Sequence, residues 1–105
     1  MSDISKADWK LFRERLPEWQ ETYMERLIQK YIKLLQGEEN ASDKFWKLEK
    51  RIQKDKKKQG VLLELDKSET PWNLVALLKD KVITPADLEG FSDDMKEIVL
   101  RLYNH

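Results

Sequence analysis

The sequence predicts an all-α fold, a compact single-domain bundle of five or six short helices, and three observations carry that prediction. Apolar residues recur at helical spacing along most of the chain. The three glycines and three prolines stand at the edges of the periodic segments. Finally, 40% apolar residues, with four Trp, three Tyr and three Phe in 105 residues, supply one core and no more. Residues 1–105 therefore read as a single helical domain.

Residues 5–16 place Trp9, Phe12 and Leu16 at i, i+3 and i+7, the pattern of one short amphipathic helix. A second helix is expected over residues 17–36, with Pro17 at its first position, where a missing N–H costs nothing. At 100° per residue, Trp19, Tyr23, Met24, Leu27, Ile28, Tyr31, Ile32, Leu34 and Leu35 fill one sector, opposite Glu18, Glu21, Glu25, Gln29 and Lys33. A sector well over 100° wide predicts a central helix touching more than one neighbour, or a face shared with a second copy in a homodimer. Its charges run from Glu18, Glu21 and Glu25 to Arg26, Lys30 and Lys33, which complements a helix dipole.

A third helix is predicted over residues 40–59, capped by Asn40 or Ser42, with Phe45, Leu48 and Ile52 as a narrow apolar stripe. Residues 61–65 are too few for periodicity to decide; a helical turn is the first reading and a strand the second. Thr70-Pro71 then reads as cap and first residue of a helix to residue 79 that buries Leu74, Val75, Leu77 and Leu78. Thr84-Pro85 opens a short helix to residue 89, with Asp87 placed as the acid of a capping box. The last helix, residues 92–103, has Met95, Ile98, Val99 and Leu102 on one face and Asp93 and Asp94 in its first turn. Gly37, Gly60 and Gly90 each end a segment, where a left-handed residue is expected.

The composition argues against catalysis and metal binding. The one histidine, His105, is the terminal residue, so a Ser-His-Asp triad and His-based metal sites are not expected. Three scattered glycines make no phosphate-binding loop. Setting Gly90 at the sixth position of a calcium loop puts Pro85 and Lys96 where carboxylates must stand. Carboxylates cluster at Glu38-Glu39 and at Asp93-Asp94-Glu97, and the latter group reads better as charge at a helix N-terminus than as a catalytic pair. No cofactor is expected. With no cysteine, no signal-like start and no long apolar run, the expected setting is the cytoplasm, with no membrane span.

Net charge is zero but unevenly spread. Residues 41–60 carry eight bases against three acids, and residues 61–105 carry nine acids against five bases. On a helical wheel Lys44, Lys47, Lys50, Arg51, Lys54, Lys57 and Lys58 lie opposite Phe45, Leu48 and Ile52, a basic ridge with Trp46 at its flank. Such a ridge suits an acidic protein partner or, with Trp46 stacking on a base, a nucleic acid; it also simply keeps a helix face solvated. Trp9, Trp19, Trp46 and Trp72 all lie on or beside apolar faces, so packing is their expected role, and any that is exposed becomes an anchor for a partner.

The stretches Asp8-Trp9-Lys10-Leu11-Phe12-Arg13-Glu14-Arg15-Leu16-Pro17-Glu18-Trp19-Gln20, Phe45-Trp46-Lys47-Leu48-Glu49-Lys50-Arg51-Ile52 and Asp87-Leu88-Glu89-Gly90-Phe91-Ser92-Asp93 resemble a family of small proteins encoded on mobile elements of Gram-positive bacteria. Members are sometimes labelled multidrug transporters, which conflicts with the missing membrane span. The resemblance implies a small cargo protein that binds and blocks a host protein, and it carries no site residues. The expected function is a non-enzymatic protein-binding module, an inhibitor or regulator; nucleic-acid binding through the residue 41–59 helix is the alternative.

Overall fold

Ser5 starts the first helix, its hydroxyl accepting the backbone N–H of Asp8 at 3.0 Å. The structure, a computed structural model, describes residues 4–105. Its elements are α1 (Lys6–Leu35), α2 (Ala41–Asp55), α3 (Thr70–Lys79) and α4 (Asp93–Tyr103), with two 3-10 turns, Lys67–Glu69 and Pro85–Leu88. No strand occurs among the described residues, so the fold is all-α, but four helices replace the expected five or six.

Pro17 accounts for one helix fewer, and the 3-10 turn at Pro85–Leu88 for another. Pro17 lies inside α1, so the segments expected over residues 5–16 and 17–36 are one helix of 30 residues. The proline ring leaves one carbonyl a turn earlier without its donor, at a cost of about 3 kcal/mol. Phase explains why the helix continues nonetheless. Trp9, Phe12, Leu16, Trp19, Tyr23 and Leu27 step by three or four residues without interruption, so an unbroken helix keeps them all on one side. Phe12, Leu16 and Leu27 are buried there, and Trp9, Trp19 and Tyr23 pack half-buried against the same core. In the merged helix, Glu18, Glu21 and Glu25 sit in the middle, so the acidic half of the dipole reading lapses and Asp8 is the acid of the first turn, while Lys33 keeps its place in the last turn.

The core gathers Phe12 and Leu16 with Leu74, Val75, Leu77 and Leu78 of α3, Val82, Ile83, Leu88 and Phe91 of the following connection, and Met95 and Val99 of α4. The four apolar residues predicted for α3 are thus all buried. Thr70, however, is not its cap: it is fully buried, and its hydroxyl donates back to the Lys67 carbonyl at 2.8 Å. Around Thr84 the expected capping box is present, the Asp87 carboxylate accepting the Thr84 N–H at 2.7 Å and its hydroxyl at 3.2 Å, though it opens a 3-10 turn and not an α-helix. Residues 61–65 are neither helix nor strand.

A buried carboxylate joins two helix starts. Asp8 accepts the Ser92 N–H at 2.8 Å and the Ser92 hydroxyl at 2.6 Å, while that hydroxyl accepts the Met95 N–H at 3.1 Å and so caps α4. Of the glycines, Gly90 alone is left-handed, with φ of +97°. Gly60 serves packing instead, because a Cβ there would lie 2.4 Å from the Tyr23 ring and 2.8 Å from a Val82 methyl. The left-handed residue after α3 is Lys81, whose carbonyl accepts the Arg26 guanidinium at 2.7 Å.

The molecule is elongated, not compact, measuring 54 × 23 × 22 Å. Its radius of gyration is 16.6 Å, against about 13 Å for a compact chain of this length. Lengths explain this: at 1.5 Å per residue, α1 runs about 45 Å, and α3 and α4 only about 15–17 Å each. They cover the first half of α1 and leave the second half, with α2, standing out as an arm. The expected central helix is therefore corrected. Met24, Ile28, Ile32 and Leu35 are 38–50% exposed, and beyond Tyr23 only Leu27 is buried on α1. The predicted stripe of α2 is likewise open, with Phe45 63% and Ile52 38% exposed and Leu48 half-buried.

Candidate functional site

The arm is a helical hairpin. Asn40 caps α2, its side-chain oxygen accepting the Asp43 N–H at 3.0 Å, and the chain doubles back. Two pairs set how the chain lies back along α1, the Tyr31 hydroxyl donating to Asp55 at 2.5 Å and the Gln20 amide donating to the Gln59 carbonyl at 2.9 Å, while Lys47 pairs with Glu39 of the turn. Lys58 reaches Asp80 at 3.6 Å and ties the base of α2 to the end of α3.

Burial pushes the Tyr31 hydroxyl up to about 12 from its ordinary 10, helped by its bond to the Asp55 carboxylate. Tyr23 is raised too, first by burial and then by the charges of Asp55 and Asp80. Since the Tyr31 value in the fold lies above the unfolded one, its contribution is complete below pH 10 and fades as pH rises towards 12. A tyrosinate-absorbance titration should show this late-ionising group, and Tyr31→Phe should abolish that step while leaving the other tyrosines in place; an unchanged curve would refute the assignment.

The predicted ridge survives in part. Trp46, Lys50 and Lys54 are spaced four residues apart on α2 and form one line, with Lys47 and Arg51 on its inner flank. Lys47, Lys50, Arg51 and Lys54 line a groove floored by Leu34 of α1. Trp46 is 63% exposed and sits edge-on to Phe45, with ring centroids 5.0 Å apart. Lys44 is half-buried, and Lys57 and Lys58 lie beyond the end of the helix at Asp55. Lys47 and Lys58 are ion-paired; Lys44, Lys50, Arg51, Lys54 and Lys57 form no ion pair among the described residues. The packing role expected of all four tryptophans holds for Trp9 and Trp19 but not for Trp46 or Trp72, which is 52% exposed.

On the other side of the arm Met24, Ile28, Ile32 and Leu35 of α1 meet open solvent, as do Phe45 and Ile52 of α2. The breadth of the apolar sector on residues 17–36 was the available signal, and it exceeds what one neighbouring helix covers.

No group of three or more potential metal ligands occurs among the described residues, and no helix there is long and apolar enough to cross a membrane. Comparison with family models, curated proteins and solved structures gives no match.

Proposed function

We propose that the chain is a non-enzymatic protein-binding module whose outer arm face, Trp46 with Lys47, Lys50, Arg51 and Lys54, engages an acidic surface on a partner protein. The supporting observation is the 63% exposure of Trp46 in line with lysines that form no ion pair among the described residues. Exposed tryptophans are costly to leave wet and dominate the energetic centres of interfaces, while a rim of like charges selects a partner of opposite sign and speeds its approach. The resemblance to mobile-element proteins makes the partner a host protein of the cytoplasm and the chain its inhibitor or regulator.

A photo-crosslinking residue at position 46 should trap a second protein in cells, and the same residue at position 97 on α4 should not. Lys50→Glu with Lys54→Glu should abolish the adduct, and Trp46→Ala should weaken binding of the recovered partner about 30-fold or more. Equal labelling from both positions, or none, refutes the reading.

A second reading is favoured by the same alignment of a π-face with cations: nucleic-acid binding by this face. It requires an affinity for duplex DNA that falls with salt at a log–log slope of about −0.9 per phosphate contacted. Lys47→Glu, Arg51→Glu and Lys54→Glu together should then eliminate binding, and a salt-independent affinity rejects it.

A further inference from the structure

The apolar side of the arm is distinct from its lysine face. Counted at 100° per residue, Ile52 and Phe45 lie about 140–200° around α2 from Lys50 and Lys54. On α1, Met24, Ile28, Ile32 and Leu35 fall on one flank of the row Tyr23, Leu27 and Leu34 that packs towards the core and α2. On α2, Phe45 and Ile52 are displaced from the half-buried Leu48 in the same rotational sense. Because the two helices run antiparallel, these two displacements point to the same side of the hairpin. Each helix of the arm thus leaves an apolar flank open on the same side of the hairpin, while α3 and α4 pack in the core with the first half of α1.

We propose that this face is closed by a second copy of the chain, two α1–α2 hairpins packing about a two-fold axis into a four-helix bundle. The inference does not rest on the protein-binding reading above, since Lys50 and Lys54 stay outside the bundle; Trp46, edge-on to Phe45 at 5.0 Å, lies on the border between the two faces. A single helical layer buries its apolar side only against another layer, and a second hairpin of the same length and pattern supplies one. The spacing along α1 suits this, because Met24, Ile28, Ile32 and Leu35 step by four, four and three residues, an apolar row along one flank of the helix.

The exposed area is of the size an interface needs. At the exposures observed, 38–63% per side chain, the six residues leave on the order of 500 Å² of apolar surface in water. That equals the largest patches monomers tolerate, roughly 300–600 Å². It also matches what a homodimer needs, since about two-thirds of a standard half-interface of about 800 Å² is apolar. Zero net charge adds no long-range repulsion between copies. In the two-fold arrangement Ile32, near the centre of the face, approaches its own symmetry mate.

Light scattering on the full chain should give a mass of about 25 kDa, twice 12.6 kDa, at tens of micromolar. Ile28→Glu with Ile32→Glu should weaken self-association at least about 100-fold. Both positions are exposed in the single chain, so the helical circular dichroism should be unchanged. The pair Lys50→Glu and Lys54→Glu should leave the dimer intact, which separates this surface from the lysine face. In the cysteine-free background, Ile32→Cys should form an intermolecular disulfide on mild oxidation and Trp72→Cys should not, so the proposal stays testable even if the glutamate variant misfolds. A wild-type mass of 12.6 kDa at high concentration, a dimer indifferent to the glutamates, or equal crosslinking from both cysteines overturns it.

Discussion

Phe12→Ala is expected to cost about 3–5 kcal/mol, a large share of the roughly 5–15 kcal/mol that holds a domain of this size together. Phe12 is fully buried, stacked with Trp9 at 6.4 Å and edge-on to Trp19 at 6.4 Å, and it lies in the one cluster shared by α1, α3 and α4. Truncation leaves a cavity between helices whose backbones are fixed on both sides, so little collapse can offset the loss. Thermal unfolding should fall by on the order of 15–30 °C. Leu62→Ala is the control: Leu62 is 63% exposed, so its truncation should move the midpoint by no more than a few degrees. Comparable losses in both variants would mean that the core is not where the structure places it.

Asp8→Ala is the second large effect, expected at about 2–4 kcal/mol. The residue is 4% exposed and holds both the N–H and the hydroxyl of Ser92, so its removal strips two acceptors from partly buried donors. The hydroxyl it orients also caps α4 at Met95, and the loss therefore spreads to a helix start some eighty residues away in sequence. Amide hydrogen exchange should accelerate at Ser92 and Met95 ahead of the α4 interior. Asp8→Asn, which keeps one acceptor, should cost on the order of 1 kcal/mol. Lys10→Ala, which removes an exposed pairing with Glu14 at 3.9 Å, should cost less than about 0.5 kcal/mol. If the alanine variant at position 8 behaves like the one at position 10, the carboxylate is not a structural tie.

Much of the candidate site was legible in advance for a simple reason. Lys50, Lys54 and Trp46 sit on a helix whose phase is set by local spacing, so their shared line needs no knowledge of the rest of the chain. What Lys57 and Lys58 do was hidden, because it depends on where α2 stops and on Asp80, which arrives from the far end of α3. Pro17 was misread by treating a local preference as decisive. The stripe from Trp9 to Leu27 crosses it in unbroken register, and that continuity held the correct answer. Gly37 and Gly60 fail as left-handed ends for a related reason: glycine is chosen at position 60 by the approach of Tyr23 and Val82, which no neighbouring residue announces.

The sequence by itself determined the helical class, a cap for α2 at Asn40 or Ser42, the Thr84–Asp87 capping box and the buried face of α3. All of these are settled within a few residues by periodicity and by side chains that reach the nearest backbone donors. Only the tertiary structure decided which apolar faces are covered. Burial depends on whether a distant element is long enough to lie across a face, and α3 and α4 are too short to reach the second half of α1. The same periodic pattern therefore makes core at Phe12 and Leu16 and open surface at Ile28 and Ile32.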